Sequence, residues 1–281
     1  MYTDDVYLHD IHQDMMIILK KFDAYCRKHN LKYSLCGGST IGAIRHQGFI
    51  PWDDDLDFMM TREEYRKLQK CIKEDPIEGI FFQTYETDKN FPHDFAKLRL
   101  EGTKGREWIH QRVKMHEGVF ADIFPVDNVK GHSGKFNTFM CRVLDFMVWF
   151  KTALFFPPKV WMYPFVFILE LITVFPFLCN FIPMRTLSKW REKFFTRNND
   201  KPCDYVGILA GYAKNDTFIP KSALNDEYMD IMFEGEKTMI ITNYDAYLRH
   251  CYGDYMTPPP LDKQHGKHGY VGYVPFKNNK E

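Results

Sequence analysis

Four aspartates crowd into five positions, Asp53, Asp54, Asp55 and Asp57, between the apolar Phe49-Ile50-Pro51-Trp52 and Phe58-Met59-Met60. A solvated acidic turn is the ordinary fate of such a run. Flanks this apolar instead draw the acids toward the interior, where charge without a partner is not tolerated. Strand residues two apart share a face, so Asp53, Asp55 and Asp57 are expected on one side with Asp54 pointing away. Converging carboxylates repel unless a cation lies between them, and hard oxygen donors suit Mg2+ or Mn2+.

Upstream, Leu31, Tyr33 and Leu35 alternate with polar residues and run into Gly37-Gly38-Ser39, after which residues 40–46 read as a short helix with Ser39 as N-cap. Free backbone N–H groups and the positive end of a helix favour a phosphate at such a turn. A bare Gly-Gly-Ser is more often only a turn. Joined to a strand-borne Asp-x-Asp, it points to a metal that neutralises phosphate oxygens positioned by the backbone.

The rest of the chain reads as mixed α/β up to Asp127. Leu8, Ile11, Met15, Ile18, Phe22 and Cys26 mark a core-facing helix, and Thr61-Arg62-Glu63-Glu64 is a capping box opening a helix to about Glu74. Strands are expected at 80–85, 95–100 and 118–124, then at 206–209, 230–233 and 238–241. A last helix spans 243–251, and no regular structure is evident beyond the Tyr252–Pro260 segment, read as extended and packed on the core. Three parts result: residues 1–134, an apolar, aromatic-rich helical insertion over 135–200, and residues 201–281 packing back on the first part.

Lys+Arg 37 against Asp+Glu 37 leaves no net basic field, which argues against nucleic acid as a partner. The seven cysteines are scattered without Cys-x-x-Cys, as expected of buried thiols in a reducing compartment rather than a zinc cage. His110, His116, His265 and His268 lack partners at zinc spacing and are expected not to bind metal. The opening Met1-Tyr-Thr-Asp-Asp-Val carries acids where a secretory signal carries bases, giving an expectation of a cytoplasmic location.

The stretch from Gly38-Ser-Thr-Ile-Gly-Ala-Ile-Arg-His through Pro51-Trp-Asp-Asp-Asp-Leu-Asp57 resembles the signature of the LicD family, within the nucleotidyltransferase superfamily related to DNA polymerase β. Lys97-Leu-Arg99, Gly118-Val-Phe-Ala-Asp122 and Tyr252-Gly-Asp-Tyr-Met-Thr-Pro-Pro-Pro260 match it too. Bacterial phosphocholine transferases belong to that family, with fukutin and fukutin-related protein as distant members. The resemblance implies an α+β fold with a polymerase β-type catalytic core. It also implies transfer of a phosphorylated small alcohol from a CDP-linked donor to a hydroxyl of a glycan or its lipid-linked precursor.

By that resemblance Asp55 and Asp57 hold Mg2+ or Mn2+, Asp53 is an additional ligand, and Asp122 assists the metal or takes the hydroxyl proton. Gly37, Gly38 and Ser39 cradle the donor phosphate, with Arg45 and His46 beside it. Lys97 and Arg99, read as alternating outward on their strand, neutralise the leaving cytidine phosphate; a solvated strand face is the alternative. Trp52 packs the loop. A nucleotidyltransferase adding a nucleoside monophosphate, or an inactive membrane-bound scaffold, are the competing readings.

Ten of the 25 Phe fall between Phe139 and Phe181, and between Val160 and Met184 only Glu170 is charged. Pro164, Pro176 and Pro183 argue against a simple membrane span. A peripheral contact with the inner face of the cell membrane is expected instead, with a buried helical subdomain as the alternative.

Overall fold

The computed structural model describes residues 7–107, 113–130, 139–140, 143, 145–146, 148, 182–210, 218–264 and 270–276. The apolar stripe read at the start forms helix α1 (Leu8–Lys28), whose Ile11, Met15, Ile18, Phe22 and Cys26 are buried. Asn30, at φ 52°, takes the left-handed conformation that turns the chain toward strand β1 (Ser34–Leu35). Helix α2 (Gly37–His46), strand β2 (Asp57–Thr61) and helix α3 (Arg62–Glu74) follow. Thr61 caps α3 as its sequence indicated, its hydroxyl oxygen accepting the Glu64 N–H at 3.3 Å.

Strands β3 (Ile80–Gln83), β4 (Ala96–Leu100), β5 (Lys104–Glu107) and β6 (Phe120–Val129) come next, then helix α4 (Met184–Phe195). Strands β7 (Tyr205–Gly207), β8 (Ile219–Pro220), β9 (Tyr228–Phe233) and β10 (Glu236–Ile241) lead to helix α5 (Tyr244–Tyr252) and strand β11 (Tyr270–Val274). The fold is α+β, as expected.

The main sheet runs β1-β2-β6-β4-β3, with β7 on β6 and β8 on β7. Among the described residues, β2 and β6 pair in parallel and the other pairings in it are antiparallel. One apolar cluster joins α1 and α3 to Leu56, Phe58 and Met60 and to Phe233 and Ile240 of the β9–β10 hairpin. A second joins Met59 and Phe124 to Ile41, Phe195, Val206 and the α5 residues Tyr247 and Leu248. Side chains alternate along β2, so Asp57 projects on the same face as Met59, toward this second layer.

Three local expectations are corrected. Residues 53–56 are not strand, so the alternation argument does not govern the acids; Asp54 is the most enclosed of the run, while Asp53 and Asp55 are half-buried. The chain beyond Pro260 is not without regular structure, because β11 pairs antiparallel with β5, a strand that Lys104-Gly-Arg-Glu107 does not advertise by apolar alternation. Buried Asp14 of α1 anchors that terminus, accepting from the Tyr273 hydroxyl at 2.8 Å and the Phe276 N–H at 3.3 Å. Of the 252–260 segment, Tyr252 ends α5 rather than beginning an extended run, and Tyr255 is buried.

Most of the expected membrane-facing segment, Phe150, Trp161, Phe165 and Phe177 included, lies outside the described residues. Phe139 and Phe146 are exposed. No helix among the described residues is long and apolar enough to cross a membrane.

Arg62 and Asp127 form a buried two-pronged pair that ties α3 to β6, with Nε–Oδ1 2.8 Å and Nη2–Oδ2 2.6 Å. Deleting one partner strands a charge in a dry place, which typically costs about 3–5 kcal/mol. Arg62→Met is expected to lose stability on that scale in urea unfolding. Arg62→Met combined with Asp127→Leu is expected to lose clearly less than the two single changes added together.

Candidate active site

Strand register assembles the centre. Asp57, the first residue of β2, lies opposite Asp122 on β6, and Asp122 lies opposite Lys97 on β4. Two carboxylates and an ammonium therefore stand at one level on three neighbouring strands. The Lys97 Nζ donates to Asp122 Oδ1 at 2.8 Å and Oδ2 at 3.1 Å, and to Glu107 Oε1 of β5 at 3.4 Å. It also lies over the Phe120 ring, 3.5 Å from the centroid.

Lys97 and Arg99 are each only 1% exposed, which corrects the reading of an outward or solvated face. All five residues of β4 are buried, so its cations enter the interior and find partners there. Arg99 donates to Gln83 Oε1 and the Gly118 carbonyl, both at 2.8 Å, and its Nη2 lies 3.6 Å from Glu107 Oε2. Lys97 is thus the one brought to the acids, and Arg99 braces the strands beside it.

The Gly-Gly-Ser turn is stitched to the start of β2. The Cys36 N–H donates to the Asp57 carbonyl at 2.9 Å, and the Asp57 N–H donates to Ser39 Oγ, also at 2.9 Å. Helix α2 opens at Gly37, which takes φ 52°, so Cys36 and not Ser39 occupies the cap position. The Gly37 N–H donates to the Tyr247 hydroxyl at 3.1 Å. A Cβ on Gly38 would fall 2.7 Å from Asp53 Oδ2, so the acidic loop presses directly on this turn.

His12 fixes that loop from α1. Its Nε2 donates to the Asp53 carbonyl at 2.7 Å, and its ring stacks on Phe49 at 4.0 Å between centroids. Tyr252, at the end of α5, brings its hydroxyl to within 3.0 Å of where a Gly37 Cβ would stand. Burial, then Cys36, Cys251, Asp57 and Asp55 push its phenol above the ordinary range. Arg45 and His46 sit at the other end of α2, roughly 13 Å along the helix axis from Gly37. Arg45 donates to His46 Nε2 at 2.9 Å and to the Tyr255 carbonyl at 2.7 Å, holding the segment after α5. Trp52 packs edge-on against His46.

The electrostatics is an excess of buried negative charge. Burial first, and then Asp55, Asp122 and Asp53, drive the Asp57 carboxyl well above the usual carboxylate range, with Lys97 pulling the other way. Burial also pushes Asp122 up to about 6 despite Lys97. Hard oxygen donors under such repulsion suit a small divalent cation by chemistry. Among the described residues, however, no three His, Cys, Asp or Glu side chains are already gathered as a metal-binding group.

Residues 30–167 match the sequence model of the LicD/FKTN/FKRP nucleotidyltransferase domain, a span that carries the turn, the acidic loop, Lys97 and Asp122. This match and a near full-length likeness both support the LicD family for this chain. It is 29% identical over 271 residues to the lipopolysaccharide cholinephosphotransferase LicD of Haemophilus influenzae, covering 92% of this chain and 94% of that one. A shorter stretch of 55 residues is 40% identical to an uncharacterized protein of Rickettsia prowazekii and spans 20% of this chain. The Haemophilus likeness runs nearly end to end, so this LicD-family likeness extends beyond the domain match, toward α5 and Tyr252.

Gly38 supplies a sharp check on the geometry. Gly38→Ala is expected to push Asp53 away from the turn and to lower the affinity for phosphate-bearing ligands at least tenfold, with the secondary structure unchanged. Calorimetric titration with a nucleotide, beside circular dichroism, measures both.

Proposed function

We propose that this LicD-family chain transfers a phosphorylated small alcohol, phosphocholine foremost, from a CDP-linked donor to a hydroxyl of a surface glycan or its lipid-linked precursor. The observation that carries the reading is the Asp57–Asp122–Lys97 level beneath the Gly37-Gly38 turn. The near full-length likeness to a cholinephosphotransferase supports the substrate class. The exposed Phe139 and Phe146 are in keeping with work at the inner face of the membrane, where a lipid-linked acceptor would be met.

In this scheme Asp55, Asp57 and Asp122, with Asp53 as an additional ligand, would hold Mg2+ or Mn2+. Bound there, the cation would offset the charge of the phosphate oxygens and acidify the attacking hydroxyl. The N–H groups of the first turn of α2 bind the donor phosphate with the helix end behind them. The acceptor oxygen forms a bond to phosphorus as the bond to the CMP oxygen breaks, and CMP leaves with that electron pair. Asp122 accepts the hydroxyl proton. Lys97 orients Asp122 and keeps it ionised, while Arg99 and Glu107 hold Lys97 in place.

The family description as a nucleotidyltransferase domain favours one rival, transfer of a nucleoside monophosphate to a small acceptor. The released product separates the two: CMP for the first, pyrophosphate for the second. A panel of CDP-linked alcohols with magnesium is expected to yield CMP; pyrophosphate from a nucleoside triphosphate instead would favour the rival.

Two substitutions test the assignment of the acids. Asp57→Asn and Asp55→Asn are each expected to abolish turnover while the melting temperature stays the same or rises, because repulsion is relieved as a ligand is lost. Near-normal turnover in both would remove these acids from the centre. Asp122→Asn is expected to bind donor but to lose roughly 10²-fold in kcat. An unchanged kcat would take Asp122 out of the reaction.

A further inference from the structure

Tyr252 takes no part in the scheme above. Tyr252 ends α5, more than two hundred residues beyond the Gly-Gly-Ser turn in sequence, yet its hydroxyl approaches Gly37 so closely that a Cβ there would stand 3.0 Å from it. That hydroxyl has no hydrogen-bond partner among the described residues. Its neighbour in the same helix behaves differently: the Tyr247 hydroxyl accepts the Gly37 N–H at 3.1 Å and contacts Cys36 Sγ at 3.5 Å. One tyrosine is spent on capping α2, and the other reaches the same turn with its donor unspent.

The surroundings of Tyr252 narrow what it can meet. The residue is half exposed, while its hydroxyl reaches in to the Gly37 turn. The carboxylates Asp55 and Asp57 act on it electrostatically, and Gly37, which opens α2, faces its hydroxyl. A neutral phenol at ordinary pH offers an O–H donor, and it brings no positive charge that would compete with a cation for the carboxylates. The main chain holds it in place, since Gly253, at φ 67°, ends α5 immediately after it and donates its N–H to the Arg249 carbonyl.

We infer that Tyr252 is a substrate-positioning residue whose O–H donates to a non-bridging oxygen of the donor's phosphate at the Gly37-Gly38 turn. The inference rests on the phosphotransfer reading for the identity of the donor, but not for the presence of a phosphate. Tyr252 then adds a donor from α5 to those of the α2 N–H groups, facing Gly37, whose φ of 52° favours glycine. A hydrogen bond to a charged oxygen is worth roughly tenfold to a hundredfold in affinity.

The test compares Tyr252→Phe with Tyr247→Phe in the full chain with magnesium. CDP-choline, CTP, ATP and inorganic pyrophosphate are titrated calorimetrically, and turnover is followed with CDP-choline. Tyr252→Phe is expected to weaken the phosphate-bearing ligand that the unmodified protein binds best by about tenfold or more, raising KM more than it lowers kcat, at an unchanged melting temperature. Tyr247→Phe, which removes a cap, is expected to lower the melting temperature instead. Equal affinity and equal KM in Tyr252→Phe would overturn the inference, as would failure of the unmodified protein to bind any of the four ligands. Tight binding of CTP or ATP without CMP release from CDP-choline would instead refute the phosphotransfer reading, and Tyr252 would still be judged by the loss of that nucleotide's affinity.

Discussion

Everything about this centre turns on burying carboxyl groups together: Asp57 is enclosed and stands in register with Asp122 on the parallel β2–β6 pair of the main sheet. Adjacent strands stand about 4.8 Å apart, so carboxylates facing the same way from paired positions are close neighbours in a poorly solvated place. Asp53 and Asp55 add to the load. Lys97, from the strand on the other side of Asp122, offsets one charge of the group.

The rest of the fold holds that arrangement still. Hydrogen bonds from Cys36 to Asp57 and from Asp57 to Ser39 bind the Gly-Gly-Ser turn to the strand that carries the acid. His12 holds the acidic loop from α1, and Tyr247 closes the first turn of α2 from α5. Contributions from both ends of the chain therefore converge on a turn of three residues. Arg62 and Asp127 lock α3 to the far end of β6, and Arg99 with Glu107 fixes the strand bearing Lys97.

Sequence made some of this legible and hid the rest for physical reasons. The α1 stripe and the Thr61 cap are local signals, and both helices lie where their residues placed them. Asp57 is conspicuous as an acid among apolar residues, whereas Asp122 is named only through the family resemblance. Lys97 and Arg99 were misread, since alternation tells which residues share a face but not whether that face meets water. Ser39 has the residue type of a cap, but α2 starts two residues earlier, at Gly37, and Ser39 Oγ accepts the Asp57 N–H instead. Strands β5 and β11 carry too little alternation to be seen apart, and each exists through the other. His12 acts across 41 positions and Tyr247 across 210, separations over which no local pattern speaks.

The central claim is that the buried acids are arranged for a divalent cation that offsets their mutual repulsion. Titration of Mg2+ and Mn2+ into the metal-stripped full chain, read by calorimetry and by melting temperature, addresses it most directly. The account predicts saturable binding in the millimolar range or tighter, accompanied by a rise in melting temperature that Asp57→Asn abolishes. Absence of binding heat for either ion, with a melting temperature indifferent to both, would contradict it.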